Sequence, residues 1–109
     1  MSGITGGAAI GLAGQINANP DLLERVAREL DRVAQEIHSE ERRLRAAGEE
    51  TRAAWQSQHT GQFLASVDAT SRRAGRCAEQ VRQAATRLRA IAAEIRRVER
   101  EIQRMKTGR

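Results

Sequence analysis

From Phe63 to Met105 the chain places an apolar or small residue at alternating intervals of four and three without a break: Phe63, Val67, Thr70, Ala74, Cys77, Val81, Ala84, Leu88, Ile91, Ile95, Val98, Ile102 and Met105. That spacing keeps one stripe of an α-helix against a partner helix along its whole length. The segment therefore commits to a single long helix. A second, less regular series runs upstream through Leu23, Val26, Leu30, Val33, Ile37, Leu44 and Thr51. Two such segments joined by a short polar stretch define an all-α, antiparallel helical hairpin.

The ends of both helices can be placed. Asn19-Pro20-Asp21 is a start signal: an Asn cap, a proline at the first helical position, and acids Asp21 and Glu24 facing the positive end of the helix dipole. The first helix is predicted over residues 20–54. Gly48 costs about 1 kcal/mol relative to alanine in a helix interior, so some loosening is expected there. The bend runs from Trp55 to Gly61, with Ser57 or Thr60 as the cap of a second helix predicted over 61–106. Residues 1–19, with glycine at positions 3, 6, 7, 11 and 14, read as a flexible arm, and 107–109 as a short tail. The second helix is expected to overhang the first from Arg96 to Arg109.

Composition limits what such a hairpin can bury. Only 2% of the 109 residues are aromatic and 30% are charged, so the core must come from Leu, Ile, Val and Ala. Two helices bury one stripe each and leave an outer seam uncovered. The seam residues Leu23, Val26, Leu30, Val33, Ile37, Leu44, Val67, Cys77, Val81, Leu88 and Ile91 are read as packing positions. Ala27 and Ala34 flank the first seam, and Ala78, Ala85 and Ala92 widen the second. A face this broad suits four helices better than two, so the hairpin is expected to dimerise into a four-helix bundle. The charge distribution makes the two arms electrostatically complementary and leaves the second a surplus that could meet an acidic partner. Acids outnumber bases nine to seven between Asp21 and Arg52, whereas bases outnumber acids twelve to five between Gly61 and Arg109.

Several chemistries find no support in the residues. His38 and His59 have no cysteine or histidine neighbour at metal-ligand spacing, and no glycine-rich phosphate loop sits between a strand and a helix. The pairs Glu40-Glu41 and Glu49-Glu50 alternate with arginine as solvated ion-pair partners do. The single cysteine, Cys77, occupies a seam position, where a buried, unreactive thiol is expected. No catalytic residue, cofactor, metal or small-molecule substrate is assigned. Arg72, Arg73, Arg76, Arg82, Arg87 and Arg89 could neutralise phosphates, but no aromatic lies among them to stack on bases, so a nucleic-acid partner is the weaker reading. The amino terminus lacks the basic residues of a secretory signal and is too short and glycine-rich to span a bilayer.

The bend supplies the remaining signal. The only tryptophan, Trp55, opens it in Trp55-Gln56-Ser57, and Phe63 follows eight positions later. With two helices in about a hundred residues, the chain resembles the Trp-x-Gly family of small helical hairpins handled by type VII secretion systems, the Esx-like proteins. The resemblance covers roughly residues 20–105. Ser57 stands where the family has glycine. Ile95-Arg-Arg-Val-Glu99 matches a Tyr-x-x-x-Asp/Glu export signal in its acid, Glu99, but has Ile95 in place of the tyrosine. The resemblance implies a bacterial protein secreted without a cleaved signal peptide, or the helical targeting partner of a larger secreted effector. It implies Trp55, Ser57 and Phe63 as recognition residues, and as partners a second copy, a paralogue, an effector's helical domain or the secretion ATPase. The competing reading is a cytoplasmic structural coiled-coil adaptor, for which Trp55 would matter only to stability.

Overall fold

The computed structural model describes residues 18–107, and the predicted arm falls outside them except for Ala18 and Asn19. The chain is two helices, α1 (Pro20–Ala54) and α2 (Thr60–Thr107), packed antiparallel along their length. No strand is present among the described residues. The pair forms a slab of 77 × 28 × 15 Å with a radius of gyration of 22.4 Å. A compact domain of this length has a radius of about 13 Å. The slab is one helix thick, so nothing within it can cover both of its faces.

The start signal works as the sequence implies. Asn19 Oδ1 accepts from the N–H groups of Asp21 at 2.9 Å and Leu22 at 3.3 Å, satisfying two of the donors that a helix start leaves open. At the other end the backbone turns extended at Trp55, whose N–H still donates to the Thr51 carbonyl at 2.8 Å. Gly48 does not loosen α1. It is buried against α2, and a Cβ there would lie 3.1 Å from Cγ1 of Val67. The helix propensity lost at this position is exchanged for close approach of the two helices.

The contact line corrects the predicted seam by one heptad position. Its centre is a row of small residues, Ala27, Ala34 and Gly48 on α1 against Ser71, Ala78, Ala85 and Ala92 on α2, all buried. Small side chains let the backbones come close, and the larger seam residues are displaced to the flank. Leu23, Leu30, Val33, Ile37, Leu44, Val67, Val81 and Leu88 are half-buried there. Val26 and Ile91 are exposed, and so is Cys77, contrary to the buried thiol expected of it. The alanines read as flanking residues are the core.

Candidate docking face and bend

A hairpin with this contact line has two unlike sides. One side carries the inter-helix ion pairs: Arg96 with Asp21 and Glu24, Arg89 with Asp31, and Arg45 with Asp68 at 3.5 Å. Helical geometry puts the other flank of both helices on the opposite side. There α1 contributes Leu23, Val26, Leu30, Val33, Ile37 and Leu44, and α2 contributes Phe63, Val67, Val81, Leu88, Ile91, Ile95 and Val98. Only Ile95 of these is buried, at 9% exposure, while Ile91 is 48% exposed. Fully covering such a side chain is worth about 1.5–3 kcal/mol, so the uncovered face holds a large unrealised stabilisation. An open hollow of about 350 Å³ interrupts it, lined by Val33, Glu36, Ile37, Glu40, Glu41, Leu44, Thr70 and Ala74. It arises where α2 carries its small residues.

The two predicted tail residues separate. Ile95 packs in the contact line, and Glu99 is exposed. Arg96 is tied to the start of α1 by Asp21 and Glu24, so it does not belong to the overhang predicted to begin there. The free part of α2 begins a turn later. Every residue from Glu99 to Thr107 is exposed, Met105 at 75%.

The bend is built around Thr60. Its Oγ1 accepts from the Ser57 N–H at 3.0 Å and donates to the Trp55 carbonyl at 3.1 Å, and the residue is 9% exposed. Ser57 Oγ accepts from the His59 N–H at 3.1 Å, and the Thr60 N–H donates to the Ser57 carbonyl at 3.2 Å. Both hydroxyls therefore bind the bend to itself, where the sequence indicates that one would cap α2. A serine hydroxyl at this position has work that glycine could not do. The bend holds Trp55 and Phe63 with ring centroids 5.9 Å apart and planes at 60°, a tilted aromatic pair. Both rings remain about two-fifths exposed. They brace one another without being sealed into the hairpin end.

A polar cluster in mid-hairpin corrects the reading of Glu41 as a solvated ion-pair partner. Glu41 falls in the small-residue row, its side chain only 17% exposed, opposite Gly75, where a Cβ would sit 3.7 Å from its Oε1. His38 Nδ1 lies 3.2 Å from Glu41 Oε1, and Arg45 Nε donates to Oε2 at 3.2 Å. These partners, His38 first and then Arg45, hold the Glu41 carboxyl below its ordinary range. Arg45 continues to Asp68, which also meets Arg72 at 3.0 Å. One turn along, the hydroxyl of Ser71 is fully buried without a hydrogen-bond partner. The heptad step of Ser71 to Ala78, Ala85 and Ala92 was the available signal for its burial.

Among the described residues there is no group of three or more His, Cys, Asp or Glu side chains that could hold a metal ion, and no helix long and apolar enough to cross a membrane. Comparison with family models, curated proteins and solved structures finds no match.

Proposed function

We propose that this chain is a docking hairpin of the type VII secretion kind, which pairs with another helical hairpin through its apolar face and is exported as that complex or escorts an effector. The observation that carries the reading is the one-sided slab with an aromatic pair held half-exposed at its bend. A helix pair that was complete by itself would not keep Leu, Ile and Val along one whole side. The bend supports a recognition role for Trp55 and Phe63, because Thr60 and Ser57 fix the backbone that presents them. The resemblance at Trp55-Gln56-Ser57 and Glu99 supplies the secretion context. Hairpin surface, bend and tail then act as three separate contacts. The bundle partner takes the face, and the secretion ATPase takes the bend or the exposed end of α2.

A nucleic-acid role is less well supported. Arg72, Arg82 and Arg89 each lie within ion-pair distance of a carboxylate of the chain itself, so phosphate contacts there would compete with existing partners.

The test is to follow tagged wild type and Trp55→Ala between cells and culture supernatant of the producing organism, with a cytoplasmic lysis marker alongside. The expected result is wild type outside and the variant retained, with helical content unchanged. Wild type wholly inside would sink the secretion reading in favour of a cytoplasmic coiled-coil adaptor.

A further inference from the structure

The apolar face is not evenly open. Apart from the aromatic pair at the bend and the free end of α2, the exposed large apolar side chains among the described residues are Leu22, Val26 and Ile91. The others along the face are half-buried or buried. Leu22 lies one turn from Val26 on the same side of α1. The pairs of Glu24 with Arg96 and Asp31 with Arg89 put Val26 and Ile91 within about a turn of the same height. The three therefore form one patch, at the end of the slab where the chain enters α1.

The segment that enters there has the composition of something that covers such a patch. The first charged residue of the chain is Asp21, and no longer stretch without charge occurs in a sequence that is 30% charged. Ile10, Leu12 and Ile16 lie in the part of it closest to α1. We infer that this uncharged arm folds back in its own chain and seats those side chains on Leu22, Val26 and Ile91. The inference goes beyond the docking reading, because the face from Leu30 and Leu88 to the bend stays free for a bundle partner.

The rim of the patch selects a neutral occupant. Arg25 and Glu29 on α1, and Arg87 and Glu94 on α2, each stand three or four residues from one of its three members. Both signs are present on both rims, so a partner carrying charge of either sign meets a like charge on each side, whereas an uncharged segment meets none. The length suffices. Val26 stands seven residues beyond Asn19, about 10 Å along the helix axis, and residues 10–17 span up to about 25 Å when extended. Gly11 and Gly14 permit the reversal that the path requires. Attachment also sets the strength of the contact, because a segment on a short tether is present at an effective concentration of about a millimolar whatever the concentration of the protein.

The test is the rate at which a maleimide labels a thiol in the patch of the full chain. Val26→Cys in a Cys77→Ser background keeps a small apolar side chain in place, and Ala93→Cys in the same background puts a control thiol on the opposite flank of α2, at an exposed site. Each is measured with the native arm and with an arm carrying Ile10→Asp and Leu12→Asp, substitutions that lie outside both helices. The patch thiol should label about tenfold faster with the charged arm, and the control thiol at one rate with either. Added aspartates disfavour a nearby thiolate, so faster labelling reports uncovering and not activation. Protection of the patch thiol by the native arm should be the same from below one micromolar to tens of micromolar. Equal patch rates with the two arms would overturn the inference, and so would equal acceleration of both thiols, which would mean that the arm has no preferred side. Protection that arises only at the higher concentrations would overturn the arm of the same chain as occupant and assign the cover to another molecule.

Discussion

Thr60 shows how one side chain decides the shape of a bend. It is the first residue of α2, yet its hydroxyl reaches back to both Ser57 and Trp55, accepting from one backbone group and donating to the other. Replacing it by valine keeps the volume and removes both interactions, leaving the part-buried Trp55 carbonyl and Ser57 N–H to find water. A hydrogen bond of this kind contributes about 0.5–1.5 kcal/mol, so Thr60→Val should lower hairpin stability by about 1–3 kcal/mol. Urea unfolding followed by far-ultraviolet circular dichroism measures the loss. Trp55 emission should shift as well, because the carbonyl released is its own. A Thr60→Val protein with unchanged stability and emission would mean that the helices alone fix the turn. The sequence identified Thr60 as a cap candidate but not as the residue that ties the bend, because a hydroxyl reaching five residues back leaves no periodic trace.

At the scale of the helix, the same contrast explains what could be read in advance. Both helices lie within a residue of where Asn19-Pro20-Asp21, the polar bend and the unbroken repeat place them, since caps and periodicity are local signals. The contact line was misplaced by one heptad position because large apolar residues dominate the pattern. Close packing of two helices selects small residues, and Ala27, Ala34 and Gly48 are less apolar than neighbours such as Val26 and Val33 yet decide the spacing. Glu41 shares that row and remains tolerable because Gly75 leaves space and His38 and Arg45 supply hydrogen bonds. Its carboxyl is held below the usual carboxylate range, chiefly by His38. A group depressed in this way stabilises the fold above its unfolded value of about 4.3, and the stabilisation is lost as pH falls through the lower folded value. Thermal melts of wild type and Glu41→Gln should therefore differ at pH 7, with wild type higher, and converge only as the pH falls through the depressed folded value. Glu29 and Glu94 are depressed in the same direction by Arg32 and Arg97, but both pairs face solvent, so added salt should weaken their share and spare most of that of Glu41.

Over the whole molecule, thickness is the governing quantity. A slab 15 Å deep has no interior away from its contact line, and stability must be concentrated where the helices overlap. That overlap ends near Arg96, held by Asp21 and Glu24. Beyond it α2 continues to Thr107 with every side chain from Glu99 exposed, including Ile102 and Met105, and the one ion pair there among the described residues, Arg104 with Glu101, is local to the helix. Removing residues 101–109 deletes two turns of helix whose described side chains are all exposed. The truncated chain should keep the unfolding free energy of the full chain within about 0.5 kcal/mol, as surface changes away from packed features do, and should lose only the ellipticity of the deleted turns. If the bend and the bundle face are the other two contacts, the same truncation should leave pairing through that face intact while abolishing export. A loss of more than about 2 kcal/mol would instead show that Ile102 and Met105 are covered in the folded protein, because only the removal of buried apolar groups costs that much. The end of α2 would then be part of the core, and its apolar residues would need no partner to account for them.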